Sequence, residues 1–510
     1  MKANLKCSFV VPGHGYERCD KLIFRNIDSI LDQDYKNYEI IVVLNGEWET
    51  RKDIFSKVRE QYKDKIQLHW LPRGHLGAAN NFGITKATGD IISHLSTDLY
   101  LMPGTLRTWV DAFNEHPECG LVYSGYKFVS DNPMDIYYSE GFDRYHLECE
   151  NYIDGGNPYL SKYAVKWDEE LKSLVDWDWA LSLTANGLKA YYIKEPLYWA
   201  EFPKRGGLSE DSTAFWKVRR KEIQQKHNIP WDRKVCVTSL IDPRYALEIA
   251  KMADADFIRM PGYKPHNYTM IYQYGFMCDL ETIQESVKVF ARHWNHKVIH
   301  WIGNDIRSLM NLQWKDVDYF VTMGLKNIQT NFCMNRKDQA ILKRMHIDAE
   351  LIYPPVKWEP KKDVTDGISV NDAEIKYQLE KSMPDQTFKL NDLNCPITIH
   401  FDDSMVNILK SICMGNMVIT EKFMPSTYQI QSFSNVPELR RMILHTIRQI
   451  QKQSPQVNEE DLKDYQENTT PNHFKRKLEK IMEKKISKYA KLDDLPPAIR
   501  GTYGVGEAKA

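Results

Sequence analysis

Three short polar segments stand where chemistry is easiest to place: Pro12-Gly13-His14-Gly15, Asn45-Gly46-Glu47 and Ser96-Thr97-Asp98-Leu99. Each follows an apolar run, SFVV, EIIVVL or IISHL. Asp98 brings a carboxylate, the kind of hard oxygen that a divalent cation accepts while phosphate or water fills its other positions. The Asn45 amide can both donate and accept a hydrogen bond, where a carboxylate would only accept.

Such segments need a scaffold that brings them together. The strands Phe9–Val11 and Ile40–Leu44, joined by the helical stretch Lys21–Leu31, have βαβ spacing and imply a parallel sheet in an α/β fold. Ligands of these sheets bind beyond the carboxyl ends of the strands, so the three segments are expected to line one crevice. A length of 510 residues allows about three domains at roughly 150 residues each. A net charge of −1 gives no global field to attract nucleic acid or an acidic membrane. The 9 cysteines show no paired metal spacing and read as reduced thiols, so a cytoplasmic protein is expected. No stretch is apolar enough for a signal peptide or a transmembrane helix.

The layout from about residue 5 to 212 resembles the GT-A domain of family-2 glycosyltransferases, which use nucleotide sugars. The resemblance implies that Ser96-Thr97-Asp98, ahead of Pro103-Gly104, is the metal motif, with Ser96 in place of its first aspartate. Asp98 would then hold Mn²⁺ or Mg²⁺. It also implies nucleotide-sugar contacts from Pro12, Gly13, His14, Asn45, Asn81, Ser96 and Thr97, with the donor expected to be UDP-linked. IDGGNPYLSK (Ile153 to Lys162) matches the loop that faces the acceptor, through Gly155 and Gly156. WDEELKSLVDWDWALSL (Trp167 to Leu183) matches the segment bearing the catalytic base. Val175 replaces the usual glutamate, while Asp176, Trp177 and Asp178 match. Asp176 is thereby the expected general base of an inverting transfer, with Trp177 and Asp178 in the acceptor-side segment. Asp178, two residues on, is expected to point elsewhere on the helix and to cap or orient. In IKEPLYWAEFPKRGGLS, no histidine occupies the usual metal position. Glu201 stands near it as a second metal ligand, or Lys204 and Arg205 as a grip on the diphosphate.

The second half repeats the α/β alternation. Strands are expected at VCVTSL, DFIRM, KVIHWIG, DYFVTMG and AELIYPP, with one helix running through LKNIQTNFCMNRKDQAILKRM. A compact set follows: DGISV, QTFKL, PITIHF and MVIT, with helices between them. IHWIGNDIRSL and HFDDSMVNILKSICMGNMVIT are similar to the two halves of GT-B glycosyltransferases. Lys410 stands where that family places a ribose-binding glutamate, which implies a module without donor binding of its own. The expected domains are 1–228 (GT-A-like), 229–455 (two Rossmann-like halves, 229–355 and 356–455) and 456–510 (a basic helix and a disordered tail).

The resulting expectation is an inverting glycosyltransferase acting on a glycan or glycoconjugate. Basic helices at Lys217–Lys226 and Lys475–Lys488, with Trp216 for stacking, leave room for nucleic acid with hydroxylated bases as acceptor. The losses at Ser96, Val175 and Lys410 leave room for a catalytically inert binding scaffold.

Overall fold

The computed structural model describes all residues except 1–2, 14–16, 73, 130–135, 138–140, 202–217, 240, 260–267, 277–295, 303–304, 307–327, 329, 335, 357–367, 372, 385, 393–394, 396, 401–410, 412, 415, 421–429, 433–442, 444–462, 464–465 and 490–510. The chain divides into two units, Met1–Asp232 and Arg233–Ala510.

The first unit is built on one mixed sheet. Its strands are β1 (Cys7–Gly13), β2 (Tyr38–Asn45), β3 (Gln67–Leu71), β4 (Ile91–His94), β5 (Leu99–Leu101), β6 (Cys119–Phe128), β7 (Ile136–Tyr137), β8 (Tyr159–Leu160) and β9 (Lys189–Ala200). They lie in the order β3-β2-β1-β4-β8-β6-β9-β5, with β7 on β6. β1 pairs in parallel with β2 and β4, opposing Phe9 to Ile40 and Val11 to Val42, as the βαβ spacing requires. The helices are α1 (Glu17–Leu31), α2 (Trp48–Tyr62), α3 (Leu76–Lys86), α4 (Thr105–Glu115), α5 (Arg144–Cys149) and α6 (Val175–Thr184).

Period-two alternation divides the core between the two faces. Phe9 and Val11 join Ile27 of α1, Val58 of α2 and Trp109 of α4, whereas Val10 joins Trp177, Trp179 and Leu181 of α6. On that second face Trp179 stacks on Trp167 with centroids 5.0 Å apart, and both rings meet His94 edge-on. Trp167 Nε1 donates to His94 Nε2, which lies 3.0 Å from the Tyr159 hydroxyl, and burial holds this imidazole neutral, far below its usual pKa at about 3. Aromatic stacking adds about 0.5–1.5 kcal/mol per pair beyond area burial, so this cluster makes a stiff floor under the segment before α6.

The second unit holds two all-parallel sheets. The first has six strands: β10 (Val235–Thr238), β11 (Asp256–Phe257), β12 (Met270–Tyr274), β13 (His296–Trp301), β14 (Thr330–Cys333) and β15 (Glu350–Leu351). Their order is β11-β10-β12-β13-β14-β15. The second has five: β16 (Ile368–Val370), β17 (Phe388–Leu390), β18 (Ile397–His400), β19 (Met417–Thr420) and β20 (Ile430–Ser432), ordered β17-β16-β18-β19-β20. Helix Pro471–Tyr489 returns to the first of these sheets, where Phe474 meets Tyr272 at 5.3 Å.

Two expectations are corrected here. Thr330–Cys333, read as part of a long helix, is a strand paired with β13, and the helix spans only Arg336–Arg344. β12 went unnoticed although it lies between β10 and β13, because its five buried residues show no alternation. DYFVTMG and Lys410 lie outside the described residues. Among the described residues no helix is long and apolar enough to cross a membrane.

Candidate active site

β1 and β2 end side by side, with Pro12 opposite Val43 and Gly13 opposite Leu44. Asn45 closes β2 and is fully buried. Beyond β4 the chain turns through Ser96–Leu99, closed by Leu99 N–H donating to Ser96 O at 2.9 Å. The turn is fixed from two sides. Asn26 of α1, fully buried, points its amide nitrogen at Leu95 O, Ser96 O and Leu99 O, at 3.3, 2.9 and 2.6 Å. Glu201 N–H donates to Asp98 O at 2.8 Å. Thr97 is buried, while Ser96 and Asp98 are half-buried at the turn. α4 is capped by Gly104, not by Asp98.

The Glu201 carboxylate is ion-paired with Arg25 of α1, whose guanidinium lies 4.1 Å over the Tyr100 ring. Its charge is thus answered within the protein, which weighs against Glu201 as a metal ligand. His14, Lys204 and Arg205 lie outside the described residues. Asn81 of α3 donates to Trp167 O at 2.9 Å and Glu169 Oε1 at 2.8 Å, and accepts from Trp167 N–H at 2.8 Å. Its amide therefore braces the segment before α6.

Asp176 occupies the second position of α6, after Leu174, a cap residue in the left-handed region at φ 57° with no side-chain capping bond. N-capping is therefore not what Asp176 does. A helix N-terminus favours negative charge. Asn151 Nδ2 donates to Asp176 Oδ2 at 3.1 Å.

Trp177, expected on the acceptor side, faces elsewhere, and Asp178 points away from Asp176 as its spacing implies. Trp177 is buried and donates from Nε1 to Leu147 O at 2.6 Å. Asp178 is buried, paired with Lys226 at 2.8 Å and accepting from His227 Nε2 at 2.8 Å. The reason is geometric: two helical residues turn the side chain by about 200°, away from Asp176. Asp178 anchors α6 to the helical residues 218–226.

The residue that sequence reasoning passed over is Asp154. It opens the loop whose glycines were singled out. Gly155 comes so close to Trp167 and α6 that a Cβ there would lie 2.8 Å from Trp167 Cη2 and 3.8 Å from Asp176 Cβ. At Gly156 a Cβ would lie 2.9 Å from Leu99 Cδ1, beside Asp98. The loop is therefore wedged between the Asp98 turn and the start of α6. Burial, then the charge of Asp176 and that of Asp98, push the Asp154 carboxyl up to about 7, against the pull of the Gly156 N–H. The local signal was Asp-Gly-Gly, which reads only as a turn.

Among the described residues no three His, Cys, Asp or Glu side chains form a ready-made metal cage. A hard cation that keeps waters and phosphate oxygens needs only one or two carboxylates. Asp98 is such a donor, and its charge reaches the Asp154 carboxyl. The donor set fits Mn²⁺ or Mg²⁺.

Residues 8–162, all in the first unit, match the family described as glycosyl transferase family 2. An uncharacterized glycosyltransferase of Rickettsia typhi is 33% identical over 123 residues, 24% of this chain and 37% of that protein. The O-antigen biosynthesis glycosyltransferase WbnJ of Escherichia coli is 32% identical over 88 residues, 17% of this chain and 34% of its own length. The chain thus spans little more than a third of such relatives. Among solved structures, residues 1–349 of S. aureus TarS align at 14% identity and a TM-score of 0.35, over 66% of this chain and 83% of that one. That likeness is too loose to carry an argument.

Proposed function

We propose that the chain transfers a sugar from a nucleoside diphosphate sugar, most simply a UDP-sugar, to a hydroxyl acceptor with inversion of the anomeric carbon. The observation that carries this reading is that Asp98 and Asp176, from distant parts of the chain, both act on the one carboxyl of Asp154. In this reading a donor-end acid, just beyond the parallel strand β4, and an acceptor-end acid at the start of α6 lie within electrostatic reach of the same carboxyl. The family match and its glycosyltransferase relatives support the same class.

Asp176 takes the acceptor proton as the acceptor oxygen attacks the anomeric carbon. The bond from that carbon to the diphosphate oxygen breaks on the opposite side, which inverts the centre. Asp98 would hold the Mn²⁺ or Mg²⁺ ion, which supplies neutralising charge to the leaving diphosphate. Asn45, Pro12 and Gly13 form the nucleotide end, with Ser96 and Thr97 beside Asp98. Gly155 and Gly156 let the acceptor loop approach the reacting atoms.

The acceptor in this reading is a glycan or glycoconjugate. Lys475 and Lys477 of the last helix are paired with Asp254 and Glu350, which leaves less charge there for nucleic-acid phosphates. The second unit is read as a GT-B-like pair without its own donor site, supported by its two parallel sheets. A cytosolic setting belongs to the same reading, supported by buried thiols such as Cys7 and Cys413.

The test is calorimetric titration and product mass spectrometry of the full-length chain with UDP-glucose, UDP-galactose, UDP-N-acetylglucosamine and GDP-mannose, in Mn²⁺ and in chelator. Asp98→Ala is expected to lose on the order of 10²–10³ in turnover while melting like the wild type. Binding of none of these donors would overturn the reading, and full activity in chelator would remove the metal from it.

A further inference from the structure

We propose that Asp154 contacts the acceptor, accepting a hydrogen bond from a sugar hydroxyl adjacent to the one that Asp176 deprotonates. The inference rests on the glycosyltransferase reading and narrows its acceptor to a carbohydrate presenting neighbouring hydroxyls.

The first argument is how much structure holds this one carboxyl. Asp154 Oδ1 accepts from Gly156 N–H at 2.6 Å. Asn157 Nδ2 reaches Asp154 O at 3.0 Å and the Tyr198 hydroxyl at 3.2 Å, while its Oδ1 accepts from Ser124 N–H at 3.0 Å. The Ser93 hydroxyl donates to Gly156 O at 2.6 Å. β4, β6 and β9 therefore all contribute to fixing the loop. Such support from rigid strands is what positions a ligand-contacting group.

The second argument is that the carboxyl gives the fold only the local turn bond to Gly156 N–H in return. Among the described residues Asp154 has no cationic partner, and Oδ2 has no hydrogen-bond partner, while the two nearest influences are carboxylates. Asp178 shows the contrast within the same unit: a buried structural carboxylate is met by Lys226 and His227. Like charges held close in a partly desolvated crevice cost stability, and such a constellation marks a functional site.

The third argument is position. The Asp154–Gly156 loop touches the Asp176 helix at Gly155 and the Leu99 side chain at Gly156. A group there lies where the acceptor must enter, between the base and the donor. Sugars offer hydroxyls on adjacent carbons, so two acceptor-side carboxylates can take one hydroxyl each. A solitary hydroxymethyl group would leave Asp154 unanswered.

The test uses the full-length chain and its Asp154→Asn and Asp154→Ala variants. Acceptors are methyl glycosides of glucose, galactose, mannose and N-acetylglucosamine, together with monodeoxy derivatives of whichever is glycosylated. Asparagine keeps the acceptor oxygen for Gly156 N–H, so Asp154→Asn should fold and melt at or above the wild-type temperature. Its donor affinity should be unchanged and its acceptor KM raised roughly ten- to a hundredfold, the usual worth of a hydrogen bond to a charged group. Removing the neighbouring hydroxyl should cost the wild type a similar factor and cost Asp154→Asn almost nothing. A lower melting temperature with an unchanged KM, in either variant, would show a structural carboxyl and overturn the inference. So would a deoxy acceptor penalised equally in wild type and variant, or a wild type that binds donor yet glycosylates none of these sugars. A wild type that binds no donor would overturn the underlying reading too, in a measurement no Asp154 variant enters.

Discussion

At Asp176 a carboxylate sits in the first turn of a helix, where negative charge is favoured, and accepts a hydrogen bond from Asn151. Asp176→Asn keeps the size and hydrogen-bonding shape but removes the basicity. It should leave melting temperature and donor affinity as in the wild type and cut transfer by roughly 10²–10⁴. Transfer at the wild-type rate would remove Asp176 from the mechanism. Asp154 has the opposite electrostatics, its carboxyl raised to about 7 by burial and by Asp176 and Asp98. Below about pH 4 the group is protonated whether the chain is folded or not, and it contributes nothing to the pH dependence. Between about 4 and 7 the unfolded chain loses this proton while the folded chain keeps it, so stability falls as pH rises. The melting temperature of the wild type should therefore drop relative to Asp154→Asn across that window and run parallel to it above. A difference that stays constant from pH 4 to 7 would mean that the carboxyl is not crowded. Local pattern could not have revealed this, because Asp154 does make the turn that Asp-Gly-Gly suggests. What sets it apart is its distant neighbours.

α6 carries two aspartates with different duties, and the helix itself separates them. Asp178 points into the protein, where Lys226 and His227 answer it, and removing one member of a buried pair strands the other. Asp178→Ala should cost about 3–5 kcal/mol of stability in the first unit. Its effect on transfer should follow the folded fraction, read by comparing denaturant midpoints with activity per folded molecule. Loss of transfer in fully folded Asp178→Ala would return this residue to the acceptor side. Element by element, the sequence was readable where one physical signal dominates. β1 and β2 are apolar runs at βαβ spacing, and they pair in the parallel register this implies. β14 was misread because Thr330–Cys333 is a short run flanked by helix formers, and only its place beside β13 settles its conformation. Trp177 was assigned to the acceptor by its neighbours in sequence, yet it faces Leu147 because burial of an indole decides the rotation of α6.

The whole molecule couples a mixed-sheet unit to one with two parallel sheets, divided between Asp232 and Arg233. Each unit closes its own hydrophobic core: Trp109 and Trp179 lie fully buried in the first, Trp301 and Tyr272 in the second. A unit with its own core can in principle fold alone. Every described residue proposed to meet the donor, from Pro12 to Asp98, lies in the first unit. Residues 1–232, produced alone, are therefore expected to fold cooperatively and to bind the nucleotide sugar with the affinity of the intact chain. Residues 233–510 are expected to fold as well, since the helix Pro471–Tyr489 needed to cover Tyr272 is included, but to give no heat on titration with the same donor. Calorimetry on both fragments and on the intact chain, under identical metal and buffer, makes the comparison. Donor binding that appears in 233–510 and is missing from 1–232 would move the active centre to the second unit. Binding in both fragments would mean that the chain carries two donor sites, and that the substitution at Lys410 does not silence the second.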